Sequence, residues 1–404
     1  MNVLLVHNYY GSSAPSGENQ VFEAESNLLR QRNHEVHEFL RHSDEIRAKG
    51  IRGGVQGALS TPWNPFAAKK IRQVVETVRP EVVHVHNTFP LLSPSIFHSI
   101  GHRAARVLTL HNYRLFCPAA IPMRDGRVCT ECLDSHSVWP SLRHGCYRNS
   151  RLATVPLAAN VALHRNLGTW TRQVDAFIAL TEFQRERMIE AGLPSSLVHV
   201  KPNFYPGDPV MLSWAERQES AVFAGRLTAE KGVLALVKAW LLWGSSAPEL
   251  RIVGDGNLRA ELEQLAAASP QTRIRFLGQL SGAAAQQEIA RARLLVLPSE
   301  WFEGFPMVVR EAFAFGTPAA VSNIGPLPSI VHPDENGAVF EPANPQSLLN
   351  AVRSVWEKGG ELERLAKGAR RSYETLYNED ANYRMLMAIY EQAMEVSRRR
   401  RDAQ

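Results

Sequence analysis

The feature that most constrains this chain is an alternation that runs through it twice. Short β-rich runs of strand length take turns with segments of helical period. Strands separated in this way argue parallel sheets with βαβ crossovers. In the first series the runs are Val3–Val6, Glu35–Phe39, Val82–Val85, Val107–Leu110, Phe177–Leu180 and Val198–Val200, with a helix from about Gln20 to Gln31 after the first. From residue 220 the rhythm restarts with Ala221–Phe223, Leu250–Val253, Ile274–Phe276, Leu294–Leu297, Ala319–Val321 and Ala338–Phe340. Helices are predicted near 232–243, 257–267, 283–291, 306–315 and 345–357. The expected class is α/β, with two Rossmann-like domains facing across a cleft. The joint falls in residues 202–220, where Pro202, Pro206, Gly207 and Pro209 gather. This divides the chain into an N-terminal domain (1–205) with an insertion at 112–150, a C-terminal domain (206–380) and a final segment (381–404). The tail from Glu361 to Val396 reads as wholly helical, its end returning to brace the first domain. Gly53–Pro65, rich in Gly and Pro, reads as a surface loop.

Composition narrows the class of partner. At 404 residues, with 45% hydrophobic and 21% charged side chains, the chain is an ordinary globular one. A net charge of +5 suits an anionic ligand or an anionic membrane surface. No Lys/Arg stripe interleaved with aromatics points to nucleic acid. The start, MNVLLVHNYY, lacks a basic leader and reads as a first strand. No apolar run reaches membrane-spanning length. The expected location is the cytoplasm, with peripheral docking on the inner face of the membrane. The basic run Arg398–Arg401 reads as a solvated helix end, with lipid contact as its minority role.

Chemistry is expected where strands end, because open α/β sheets bind ligands at the carboxyl edge. After Leu294–Leu297, Pro298 closes the strand, a loop carries Glu303, and a helix starts at Pro306 with Glu311 inside it. Glu303 and Glu311, flanking Gly304, Phe305 and Pro306, suit one ligand held at two points. After the first strand of the second series, Gly225 and Arg226 are followed by Lys231 near a helix start. Arg forks and Lys acts as a point charge, so the pair fits a pyrophosphate. Gly254 and Gly256 form a partial dinucleotide fingerprint without its third glycine, adequate for a tight turn against a base. In the first domain Gly17 lets the backbone of the 15–19 loop approach a phosphate at a helix N-terminus. His84 reads as a packed strand residue, with His86 at or beyond the end of the same strand. His111 ends another strand, where it can bond a hydroxyl or move a proton. Cys117, Cys129, Cys132 and Cys146, with one CxxC knuckle, favour structural Zn over disulfides in a reducing compartment.

Together these residues resemble glycosyltransferase family 4, retaining nucleotide-sugar transferases of GT-B fold. The resemblance rests most on Glu303-Gly-Phe-Pro-Met-Val-Val-Arg-Glu311 and on Gly225-Arg226 with Lys231. It also takes in the Gly254–Gly256 turn and Asn336-Gly337. It implies that Glu303 holds hydroxyls of the donor sugar, Glu311 the nucleotide ribose, Arg226 and Lys231 the diphosphate, and His111 the region of the transferred sugar. A nucleotide-sugar co-substrate, a glycan or lipid-linked glycan acceptor, and no catalytic metal or organic cofactor follow. The HNYRLFCP and CxxC segments look like a bacterial subgroup linked to surface polysaccharides. Two positions depart from the pattern: Ser16 precedes Gly17 where paired glycines are common, and Ser329 stands where an acid is common. An epimerase of the same fold and a non-catalytic sugar-nucleotide-binding protein are the alternatives.

Overall fold

A computed structural model describes residues 1–11 and 16–403. The chain forms two compact units. The first comprises Met1–Pro122, Cys129–Pro202 and Asn382–Gln404; the second comprises Met123–Val128 and Asn203–Ala381.

In the first unit the strands are β1 (Asn2–Tyr9), β2 (Glu35–His42), β3 (Val82–Val85) and β4 (Ala105–Leu110). The short hairpin β5 (Met123–Arg124) and β6 (Arg127–Val128) counts with the second unit. The first sheet then continues through β7 (Ala176–Ala179) and β8 (Val198–Val200). Its spatial order is β2-β1-β3-β4-β7-β8, all parallel. Strands covered on both faces read as continuous apolar runs, and β4 is buried along its whole length. Val3, Leu5, Val82, Val107 and Ile178 pack on Phe22 and Leu29 of the helix Gly17–Gln31. The same core includes Leu386, Ile389, Tyr390 and Ala393 of the C-terminal helix Glu379–Asp402. The end of the chain thus braces the first sheet, as expected.

The second unit holds β9 (Ser220–Ala224), β10 (Glu249–Val253), β11 (Ile274–Gly278), β12 (Leu294–Leu297), β13 (Ala319–Ser322) and β14 (Gly337–Phe340). Their order is β11-β10-β9-β12-β13-β14, again parallel. All twelve runs read from the sequence are strands, and the expected α/β class with two Rossmann-like sheets holds. Trp240 and Leu236 of the helix Val233–Trp243 and Leu348 and Val352 of Pro345–Trp356 fill one core with the strand side chains.

Two expectations need correction and a third a small amendment. Residues 53–65 are not a loop, because Gly50–Ser60 is a helix. Two of its glycines are contact residues: a Cβ on Gly53 would lie 2.0 Å from the Ile46 carbonyl oxygen and one on Gly57 2.9 Å from the Ile46 side chain, so the helix lies directly against Asp44–Arg47. Asn64 then caps the next helix, accepting from the backbone N–H groups of Phe66 and Ala67 with Pro65 in its first turn. The tail is helical as read, apart from a single break at Asn378. Glu361–Ser372 runs into a π turn at Tyr373–Tyr377, Asn378 is extended, and the last helix restarts at Glu379. Arg398–Arg401 is not merely a solvated end. Arg400 donates to the carbonyls of Thr171, Arg172 and Val174 and lies 3.1 Å from the buried Asp175 carboxylate, which also holds the buried Arg106.

Candidate functional site

Each sheet has one place where chain order reverses, and the candidate residues gather there. In the second unit the reversal lies between β9 and β12. These strands pair only at Leu294↔Ala221 and Leu295↔Val222, then part toward their carboxyl ends. A crevice at such a switch point is where open α/β sheets hold ligands. The loops leaving the two strands are stitched together: Glu300 N–H donates to Glu230 O at 2.9 Å. Gly232 has a φ of +65°, and a Cβ there would sit 1.8 Å from Pro298 O.

That stitching brings Lys231 against Glu303. Lys231 Nζ lies 2.7 Å from Glu303 Oε1, which also accepts from Ser299 Oγ at 2.6 Å and Trp301 Nε1 at 3.1 Å. Lys231 also lies 5.2 Å from the centre of the Trp301 ring. Glu303 is 4% exposed. Three donors therefore converge on one oxygen, while Oε2 has no protein partner among the described residues. Arg226 stands nearby in sequence but out in solvent, loosely paired with Glu230 at 3.2 Å. Glu311 lies inside the helix Met307–Ala314, whose N-terminus is set by Pro306. Burial pushes its carboxyl above the usual range, opposed by Arg310 and by a bond with Gln286. Gly304 sits partly exposed between these acids, whereas Phe305 is 8% exposed and packs on Tyr377, a core role rather than a contact surface.

Gly254 and Gly256 have a structural reason of their own. A Cβ on Gly254 would meet Gly225 O at 1.9 Å, and one on Gly256 would meet Leu227 O at 2.4 Å. The two strand-end loops lie backbone to backbone, so these glycines shape the crevice wall.

In the first unit the reversal lies between β1 and β3. Gly17 opens the helix that follows β1 and is exposed, while Pro15 of the same loop lies outside the described residues. At the neighbouring strand ends two His-Asn pairs stand side by side, His86-Asn87 after β3 and His111-Asn112 after β4. The histidines bond each other, His86 Nδ1 to His111 Nε2 at 3.1 Å. Both asparagines donate to one carboxylate, Glu18, at 3.3 and 2.8 Å. Burial raises the Glu18 pKa. Sequence reading missed Glu18 and Glu25; their i, i+7 spacing on one helix was the available signal. His84 is buried as expected, yet it belongs to a charge cluster rather than apolar packing. Its Nδ1 is 3.0 Å from Glu25, whose other oxygen meets Lys201 at 2.7 Å.

The four cysteines gather in one region of the first unit. Among the described residues, only Glu25, His84 and His86 bring three potential ligand atoms within 4.8 Å of one another, and Lys201 already supplies the cation there. The four cysteines are neighbours: Cys132 and Cys146 add to burial in raising the Cys117 thiol, and Cys146 and Cys129 add to burial in raising Cys132. Burial pushes the Cys117 thiol up to about 12, so it packs as a neutral group that donates to Ile121 O.

Two Rossmann-like units with their polar residues collected at switch points define the GT-B class of glycosyltransferase folds. Solved structures agree at the level of fold. A glycosyltransferase from Rickettsia africae superposes with a TM-score of 0.68 at 15% identity, covering 97% of this chain and 98% of that one. Anabaena HepE in complex with UDP and glucose gives 0.63 at 16%, covering 96% and 99%. Residues 15–206 match the family described as Glycosyltransferase Family 4, and residues 209–372 match Glycosyl transferases group 1. The chain belongs to glycosyltransferase family 4. It is 31% identical over 202 residues to an uncharacterized glycosyltransferase of Methanocaldococcus jannaschii, 46% of this chain and 51% of the relative. It is also 31% identical over 161 residues to the D-rhamnosyltransferase WbpZ of Pseudomonas aeruginosa, 39% and 41%. These alignments span about half or less of each relative's length.

Proposed function

We propose that the chain is a retaining transferase that moves a hexose-type sugar from a nucleoside-diphosphate donor to a hydroxyl of a glycan or lipid-linked glycan, in surface polysaccharide synthesis. The observation that carries this reading is the Lys231–Glu303 pair at the second unit's switch point, with one carboxylate oxygen left open. UDP in the structure of HepE supports the choice of donor class. Lys231 and the exposed Arg226 take the diphosphate, and Glu311 takes the ribose. The open Oε2 of Glu303 accepts from sugar hydroxyls. The acceptor oxygen bonds to the anomeric carbon on the face from which the diphosphate oxygen departs, and its proton passes to a donor phosphate oxygen. Charge growing on the leaving group is met by fixed cations, and the reaction so drawn uses neither a catalytic metal nor an organic cofactor.

A membrane-bound acceptor fits the first unit's surface. Val55, Leu59 and Phe66 are 55%, 74% and 83% exposed, and with Leu91 they line a groove beside Arg41 and Arg52. Apolar anchors ringed by cations suit an anionic bilayer, and we place the protein on the inner face of the cytoplasmic membrane. Among the described residues no helix is long and apolar enough to cross a membrane.

A thermal-shift screen over UDP-, GDP- and ADP-sugars tests the donor, since a ligand at about a hundred times its Kd stabilises by about 2.7 kcal/mol. Product analysis with and without an acceptor alcohol follows. Conversion of the sugar without acceptor would mark an epimerase, and binding without any turnover a non-catalytic protein.

A further inference from the structure

A line of three side chains in the first unit ends at His111 and decides what its ring offers. The helix Gly17–Gln31 carries Glu25, which is 1% exposed and faces the end of β3. Its Oε1 lies 3.3 Å from His86 Nε2, and its Oε2 is 2.7 Å from Lys201 Nζ. On the other side of the same ring, His86 Nδ1 is 3.1 Å from His111 Nε2. Burial disfavours a charge on Glu25, but Lys201 and the neighbouring His84 and His86 outweigh it and hold the carboxyl well below its ordinary value.

The proton positions follow from excluding repulsive contacts. His86 Nε2 and Glu25 Oε1 make no aligned hydrogen bond, but an ionised carboxylate 3.3 Å away favours a hydrogen over a lone pair on that nitrogen, so His86 carries hydrogen on Nε2. A second proton on Nδ1 would make His86 a buried cation beside Lys201, which already neutralises Glu25. Burial and the neighbouring His84 indeed lower His86 to about 4. With Nε2 protonated, His86 Nδ1 is a lone pair, and His111 must donate to it from Nε2–H. His111 then holds a lone pair on Nδ1, an atom with no protein partner among the described residues. His7 packs near the ring of His86 at 6.3 Å and is bonded to Asn19, so it supplies no competing contact to His111. His84 Nδ1 lies 3.0 Å from the same Glu25 oxygen and 2.8 Å from the Tyr390 hydroxyl, and Thr109 meets its Nε2 at 2.7 Å, so both of its nitrogens are engaged away from His111.

We infer that Glu25 and His86 are positioning residues that fix His111 as a neutral ring with Nε2 protonated, so that it meets substrate as a hydrogen-bond acceptor through Nδ1. The ligand chemistry this selects is a hydroxyl that donates, on sugar or acceptor, and it disfavours a phosphate or carboxylate oxygen at that spot. His111 lines a small cavity with His86, Asn87, Phe89 and Arg114, all from the first unit, where such a hydroxyl would sit. The role of that hydroxyl rests on the transferase reading; the tautomer does not.

The test is long-range proton–nitrogen NMR on the full chain labelled with ¹⁵N-histidine, His111 being assigned by its loss in His111→Gln. The expected spectrum has His111 protonated on Nε2 and bare on Nδ1 from about pH 6 to about pH 8. A His111 carrying hydrogen on Nδ1, or doubly protonated near neutrality, overturns the inference. His86→Asn keeps an oxygen acceptor near the Nδ1 position and should preserve that tautomer. His86→Leu should give a mixture and lower kcat/KM for transfer by about five- to tenfold, the scale of one neutral hydrogen bond. An unchanged His111 spectrum in His86→Leu counts against the line. If no sugar donor is turned over, the tautomer result stands and the transferase reading fails.

Discussion

Replacing Lys231 by methionine tests the site most directly, because it separates a desolvated ion pair from a surface one. Lys231 has 17% and Glu303 6% of its side chain exposed. Removing one partner of a fully buried pair costs about 3–5 kcal/mol, while an exposed pair contributes about 0–1 kcal/mol. Ser299 and Trp301 still donate to the abandoned carboxylate, which lowers the cost. About 2–3 kcal/mol is therefore expected, a shift of roughly 5–10 °C for a unit of this size. Glu303→Gln should cost less, since the amide oxygen can still accept from all three donors. The double variant completes a thermodynamic cycle whose coupling should exceed about 1 kcal/mol. The assay is thermal or urea unfolding of the full chain followed by tryptophan fluorescence, for which Trp301 is a local reporter. A Lys231→Met protein melting within about 1 °C of the parent would refute a desolvated pair, and with it the physical basis of the proposed diphosphate site.

Arg226 makes the contrasting case. Its guanidinium is exposed, so Arg226→Ala should leave the melting temperature almost unmoved while lowering transfer by about two orders of magnitude, the scale for one preorganised donor. Glu311→Gln should melt at the same temperature or higher near pH 7. The folded carboxyl has a raised pKa, so its stabilising contribution is present below the unfolded pKa and is lost as pH rises through the folded one. Donor affinity should nevertheless fall. Acid should unfold the first unit early, because His7 and His86 are held down to about 4. Their contribution is intact above about pH 6.5 and lost as pH falls toward 4, which melting curves across that window would show. Asp175→Ala should destabilise by about 3–5 kcal/mol, since Arg106 is buried against that carboxylate; a change below about 1 kcal/mol in urea unfolding would contradict it.

The sequence by itself determined the elements and their class. Apolar runs of strand length alternate with helical periods, and this local pattern survives any tertiary detail. For the same reason Glu303 and His111 could be placed at strand ends, and Lys231 near a helix start, without coordinates. Where local signals mislead, the structure overrode them. The glycines of residues 50–57 look like a loop because glycine weakens an isolated helix. At Gly53 and Gly57, packed against Ile46, the missing side chain becomes the condition for contact.

Only the tertiary structure decided which charges meet. That Glu303 is spent on Lys231 through one oxygen and open at the other depends on β9 and β12 being neighbours although Leu294 comes 70 positions after Ala224. That Glu25, His86 and His111 form a line depends on one helix crossing two strand ends. Such pairings span long loops, whose closure cost leaves little local trace in composition. The chain's pattern therefore announced where chemistry could sit, and the sheet order selected the protonation states and partners that give those residues their roles.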